Sequence, residues 1–246
     1  CLYRLSDTEK FIKEIKEINF KDPSNIRLAS VSEFVSHQLN IKNYYPFCTN
    51  PLDMIYKSKL NKNFKQDRSF ISNIIKEIDN KPSMLNKKNT NTVSGYQSIG
   101  NLFTDPSDKI KILSEIINAE IENYRKKFIN MKCHLVEFWP KYFKVGGWFV
   151  RYLESGHQTS HIHPLGWISG VIYLKTISNP KNNEGAIKFS IHGYDYPIVN
   201  KNIPSIIFQP NDGDLILFPS SLFHSTIPIN KNEERIVIAF DIMPKN

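Results

Sequence analysis

The sequence predicts an α+β chain in which a helical first half packs on a β sandwich or barrel. Three observations carry this reading. Apolar residues recur at helical spacing as far as Phe128, the period changes to two from Cys133 onward, and Gly, Pro and Asn turns punctuate that second half. The 246 residues, 40% hydrophobic and 12% aromatic, suffice for one substantial core, or for one core and a smaller appended unit.

Taken in order, Ser6-Asp7-Thr8-Glu9 reads as a capping box, and Phe11, Ile12, Ile15 and Ile18 follow it, so a first helix is expected to run to about Asn19. Asp22-Pro23 breaks it. A second amphipathic helix is expected from Ile26 to Leu39, with Leu28, Val31, Phe34 and Val35 on one face. Tyr44-Tyr45-Pro46-Phe47-Cys48 and Asn50-Pro51 then read as an irregular aromatic connection. Residues 79–101 are rich in Asn, Lys, Ser and Gly and read as a long loop or an edge segment. Asp105-Pro106 is expected to start the strongest helix, with Ile110, Leu113, Ile116, Ile117, Ile121, Tyr124 and Phe128 as its buried stripe. Strands are expected at Leu135 to Trp139, Gly147 to Leu153, Trp167 to Lys175, Gly185 to Ile191, Ser205 to Gln209, Asp214 to Phe218 and Arg235 to Ile242. The division is therefore a mainly helical region over residues 1–104 and a β core with its supporting helix over 105–246.

Composition narrows the function classes. A mean hydropathy of −0.37 and the lack of any apolar run near about eighteen residues argue against a membrane span. Cys1, Cys48 and Cys133 are odd in number and far apart, which suits a reducing, cytoplasmic setting better than a disulfide framework or a zinc cluster. The net charge of +8 divides into 21 Lys and Arg against 15 Asp and Glu over residues 1–130, and 11 against 9 over 131–246. Most of the excess lies between Met54 and Lys88, where Lys57, Lys59, Lys62, Lys65, Arg68, Lys76, Lys81, Lys87 and Lys88 face only Asp67, Glu77 and Asp79. With no nucleic-acid module and no glycine-rich phosphate loop, this stretch reads as a solvated face, and nucleic acid is not an expected partner.

Three of the seven histidines, His157, His161 and His163, lie between Ser155 and Pro164. Side chains two apart in extended chain share a face, so His161 and His163 can bring two imidazoles to one ion. His224 follows the Asp214 to Phe218 strand and is a third candidate ligand. Three facial ligands leave positions for a bidentate co-substrate and dioxygen, a layout that suits iron. Alone, a His-x-His pair also reads as two polar residues at a strand end. Arg235, eleven residues after His224, shares a strand face with Val237 and Ala239, so it would point into the barrel and demand an anion such as the carboxylate of a small diacid. Its bland alternative is a surface residue paired with Glu233 or Glu234.

The order Tyr152, Gly156, His161-x-His163, Ser169-Gly170-Val171-Ile172-Tyr173-Leu174, Glu184-Gly185, Gly213-Asp214, Phe218-Pro219, His224 and Arg235 resembles the double-stranded β-helix core, a jelly-roll or cupin-like barrel, of 2-oxoglutarate- and Fe(II)-dependent oxygenases, above all the prolyl-hydroxylase-like branch. The stretch from His161 to Val171 is similar to 2-oxoglutarate oxygenases at the C-terminus of bacterial tetratricopeptide-repeat proteins, where a region like residues 25–60, with Tyr45-Pro46-Phe47-Cys48 and Pro51-Leu52-Asp53, precedes the core. The resemblance is specific over residues 145–244 and looser before them. It implies fusion to upstream repeats, in keeping with a chain that opens at Cys1 instead of Met. It implies Fe(II), 2-oxoglutarate and O2 as cofactors and co-substrates, and hydroxylation of a C–H bond in an unidentified substrate with release of succinate and CO2.

Residue by residue, it implies that His161 and His224 hold iron, and that His163 stands where most relatives place an aspartate. Arg235 and Tyr173 would bind the distal carboxylate of 2-oxoglutarate, and Tyr152 would lie near its metal-bound end. His157, by parity, is a supporting residue or an alternative ligand, while Asp212 and Asp214 read as turn residues. Trp148, Trp167, His192 and Tyr194 line a substrate mouth or pack in the core. Two rival readings are a three-histidine cupin-like metal protein that does not use 2-oxoglutarate, and a non-catalytic binding module.

Overall fold

Helix α1 (Thr8–Lys21) starts one position later than the expected capping box: Asp7 accepts from the Lys10 N–H, while Ser6 turns at φ +57°. The structure is a computed structural model that describes residues 2–60, 69–88 and 90–245. Helix α2 (Ile26–Leu39) keeps its expected bounds because both ends are capped, by the Asn25 side chain on the Leu28 N–H and by Asn40 in the left-handed conformation. Tyr45 and Phe47 of the aromatic connection are fully buried, and Pro51–Met54 forms a single 3-10 turn.

The basic stretch is more structured than its composition suggests. It supplies strand β1 (Tyr56–Lys59), helix α3 (Ser69–Asp79) and strand β2 (Ser83–Leu85), and β3 (Thr92–Ser98) follows. Phe70, Ile74 and Ile78 form a buried stripe on α3 that the charge tally conceals. Lys57 lies over the Phe208 ring at 4.1 Å and Lys59 pairs with Asp214 at 3.6 Å; Lys62, Lys65, Asp67 and Arg68 lie outside the described residues. Helix α4 (Asp108–Phe128) begins at the Ser107 cap, past Asp105-Pro106, and buries all seven residues of the expected stripe. Glu120 is buried beside them and accepts from the Tyr56 hydroxyl at 2.7 Å.

The expected strand at Leu135 to Trp139 is instead a short helix, α5 (His134–Glu137). A brief apolar run does not separate strand from helix by period alone. Here the His134 and Leu135 N–H groups bond to the Pro46 and Phe47 carbonyls at 3.1 and 2.8 Å, holding the turn against the aromatic connection. Cys48 and Cys133, remote in sequence, meet at this junction as free thiols, and the bond from Cys48 pulls the Cys133 thiol down to about 7.

The remaining strands are β4 (Phe143–Gln158), β5 (Ile168–Lys175), β6 (Ile187–Ser190), β7 (Ser205–Phe208), β8 (Asp214–Pro219), β9 (Phe223–Thr226) and β10 (Arg235–Pro244). Strand β9, which carries His224, was not expected. The strands pair antiparallel into a seven-stranded sheet, β1-β8-β5-β10-β4-β3-β2, and a three-stranded sheet, β7-β6-β9. Residues 79–101 thus contribute β2 and β3 as the edge segment the sequence allowed.

Alternation divides the large sheet between two cores. Phe149, Ile172, Leu217, Ile236, Ile238 and Phe240 join the helical residues Phe34, Ile74, Ile117 and Tyr124 on the outer face. Val150, Tyr152, Val171, Tyr173, Phe218 and Val237 face inward against Ile187 and Phe189 of the small sheet. Burial on both faces explains why β5 and β8 lack polar alternation. No helix of the described residues is long and apolar enough to cross a membrane.

Candidate metal centre

Backbone pairing sets up the site. His161 and His224 exchange both main-chain hydrogen bonds, each 3.0 Å, and the His163 N–H bonds to the Ser220 carbonyl at 3.0 Å. This short ladder lays the 161–163 segment across the end of β9, with three imidazoles on one side. One ligand nitrogen from each of His161, His163 and His224 lies within 4.8 Å of the others, and the ring centroids of His161 and His224 are 4.3 Å apart. The candidate ligands from the sequence therefore converge.

The tautomer of each ring follows from its neighbour. His161 Nδ1 lies 2.7 Å from the Thr159 carbonyl and His224 Nδ1 lies 3.2 Å from the Leu222 carbonyl; a carbonyl only accepts, so both nitrogens carry the proton. His163 Nδ1 faces Asp241 Oδ1 at 2.6 Å. In a neutral ring so protonated, Nε2 keeps its lone pair for an ion, and Nε2 of His161 and His163 are 3.2 Å apart. Two nitrogens bound at right angles to one first-row ion lie about 3 Å apart, so the edge is already of ligand length. Burial, then the neighbouring His163, push His161 down to about 3, and burial holds His224 well below its ordinary value. Both rings are neutral at physiological pH, the state that binds metal.

The second cluster lies deeper in the barrel. Arg235 is 2% exposed, and its Nε and Nη1 have no hydrogen-bond partner among the described residues. Its guanidinium sits 4.9 Å from the Tyr152 ring centroid and 5.0 Å from that of Tyr173, whose hydroxyl is also unpartnered. Burial raises both phenols despite the cation, so each keeps its proton. One cavity is lined by His163, His224, Tyr152, Tyr173, Val237, Ala239 and Arg235 and joins the imidazoles to the cation. An unpaired buried guanidinium is costly, so this end of the cavity is built to receive an anion. Glu233 and Glu234, the bland alternative partners, bond instead to Ser178 and to Arg151 with Lys175.

Other candidates lie elsewhere. His157 is outside the triad, with Nδ1 on the Ser155 carbonyl. Asp212 caps Thr176, and Asp214 accepts from the Asn211 N–H and pairs with Lys59, as turn residues do. Trp167 is buried edge-on against Phe47 and donates to the Leu135 carbonyl. His192 bonds to the Tyr196 carbonyl, and Tyr194 packs on Phe223. Trp148 alone of these four borders the imidazoles, its ring 5.6 Å from that of His163. It shares a cleft of about 230 Å³ with Asn91, Gln97, Gln158, His161 and Leu165.

Asp241 was missed. The signal was present: on β10 the parity that turns Arg235, Val237 and Ala239 inward does the same for Asp241.

The comparisons with known proteins agree with this fold. Residues 146–241 match the family described as "Putative 2OG-Fe(II) oxygenase". A prolyl-4-hydroxylase from Pseudomonas putida superposes with a TM-score of 0.52 at 11% identity, covering 78% of this chain and 93% of its own. HygX from Streptomyces hygroscopicus, with nickel and 2-oxoglutarate bound, gives 0.52 at 10% identity over 78% and 83%. A prolyl hydroxylase from Trichoplax adhaerens, in complex with a hypoxia inducible factor oxygen degradation domain peptide fragment, gives 0.50 at 17% identity over 87% and 89%. At these identities the likeness is one of fold. No curated protein matches.

Proposed function

With residues 146–241 matching the family described as "Putative 2OG-Fe(II) oxygenase", we propose that this chain hydroxylates a C–H bond of its substrate, releasing succinate and CO2, with Fe(II) held by His161, His163 and His224. The observation that carries the reading is the buried Arg235, with Nε and Nη1 unpartnered among the described residues, in the cavity that His163 and His224 also line. It favours a dicarboxylate co-substrate over a metal site that works without one. When bound, the iron supplies the electron-transfer and dioxygen chemistry that side chains lack.

The chain's own residues do the rest. Arg235 binds the distal carboxylate of 2-oxoglutarate through its free Nε and Nη1, and the protonated Tyr173 hydroxyl donates beside it. The Tyr152 and Tyr173 rings hold the guanidinium in place. Tyr152 lies toward the metal-bound end of the co-substrate. Phe218, Ile187 and Val237 line the passage between cation and imidazoles and exclude water from it. Substrate enters over the Trp148, Gln97, Gln158 and Leu165 cleft, beside His161 and His163.

The test is succinate formation from 2-oxoglutarate under Fe(II), with direct measurement of 2-oxoglutarate binding. Arg235→Ala is expected to weaken binding by about 2 to 5 kcal/mol, as when a buried charge pair loses one partner. Unchanged affinity in a folded variant rules out the clamp.

A further inference from the structure

The three imidazoles are alike in tautomer but not in support. His161 and His224 rest their Nδ1–H groups on backbone carbonyls, whereas His163 rests on a carboxylate, Asp241 Oδ1, at 2.6 Å. The same oxygen accepts from the Ser169 hydroxyl at 2.7 Å. Since Ser169 spends its proton there, the Ser220 hydroxyl 2.8 Å away donates to Ser169 in turn. Asp241 is 8% exposed, and among the described residues its one charge-capable partner is His163. The surrounding space is fitted to it. A Cβ at Gly166 would lie 3.2 Å from Asp241 Cγ and 2.5 Å from Ser220 Oγ, so the turn that follows His163 closes on the carboxylate only with glycine there.

A buried carboxylate whose one charge-capable partner among the described residues is an imidazole is a costly acceptor where a neutral group would serve one imidazole N–H. Carbonyls do that for the other two rings. Around a divalent ion the account changes: three neutral imidazoles leave the full +2 charge uncompensated, whereas ferrous sites are commonly built with one anionic ligand. We infer that Asp241 is a positioning residue that supplies this negative charge through His163, making the histidine a more basic ligand while fixing its ring. The inference rests on the metal site proposed above.

The test compares wild type with Asp241→Asn and Asp241→Ala by equilibrium Co(II) and Fe(II) titration and by the Fe(III)/Fe(II) midpoint potential. The amide oxygen of Asn accepts from His163 Nδ1 as the carboxylate does, so D241N separates charge from orientation. The expected result for D241N is a 10- to 100-fold loss of metal affinity and a rise in potential, with D241A losing at least as much affinity. A D241N protein with wild-type affinity and potential overturns the inference and leaves the metal site standing. A wild-type protein that binds neither ion overturns the site itself. If D241N does not fold, Zn(II)-loaded wild type provides the second readout. The His163 ring N–H proton, held by a carboxylate, should resonate downfield of those of His161 and His224, and three equivalent shifts overturn the assignment.

Discussion

At the scale of single residues, the site depends on rings that stay neutral. His161 is held to about 3 in the fold and returns to about 6.5 in the unfolded chain. As pH falls, the unfolded chain therefore takes up its proton first, and the native state loses stability from about pH 6.5 down to about pH 3. His224, lowered by burial, acts in the same direction. We expect the thermal midpoint of metal-free protein to drop across that window when measured in chelator, and to be flat across it in a His161→Ala, His224→Ala double variant, apart from background carboxylate titration. At this scale much of the site was legible. The two-residue spacing of His161 and His163 and the parity of Arg235 follow from strand geometry. Asp241 obeys the same parity, but an aspartate near the end of an apolar strand has no visible partner until His163 is placed against it across the fold.

Among elements, the helices and the strands were legible to different degrees. The α2 bounds and the α4 stripe follow from local caps and a 3.6-residue period, which are properties of neighbouring residues. Strands β1 and β9 are Tyr-Lys-Ser-Lys and Phe-His-Ser-Thr, too short and polar to show a period; they are strands because β8 and β6 offer edges to pair with. Helix α5 took the place of an expected strand for a related reason, since its N–H groups are claimed by the aromatic connection. Because α4 packs on the outer face of the large sheet, its contribution is to stability and not to the site. Ile117→Ala is expected to cost about 2 to 5 kcal/mol in urea unfolding and to leave metal stoichiometry at the wild-type value in the folded protein. A loss of metal sites without a loss of stability contradicts that separation.

For the whole molecule, the proposed ligands join two stretches of chain that otherwise meet through a few backbone hydrogen bonds: the 161–163 segment, which follows β4, and β9 in the small sheet. An ion bound only by the folded state adds stability in proportion to its occupancy, about 2.7 kcal/mol at a free concentration one hundred times Kd. We therefore expect Fe(II) or Co(II) to raise the unfolding midpoint, a chelator to reverse the rise, and His224→Ala to abolish it. A midpoint indifferent to metal in the wild type argues against the three-residue site.

The sequence by itself determined helices α1, α2 and α4, most of the strands from β4 onward, the inward direction of Arg235 and the chelating spacing of one histidine pair, because these depend on local periodicity and on residue chemistry. Tertiary structure alone decided how His224, a candidate from the sequence, reaches the other two imidazoles, that β1, β2 and β3 extend the core sheet, and that Asp241 rather than a carbonyl supports His163. Each of those is a contact between residues far apart in the chain, and such contacts are set by which strand edges and buried groups find one another on folding, for which no local pattern stands in.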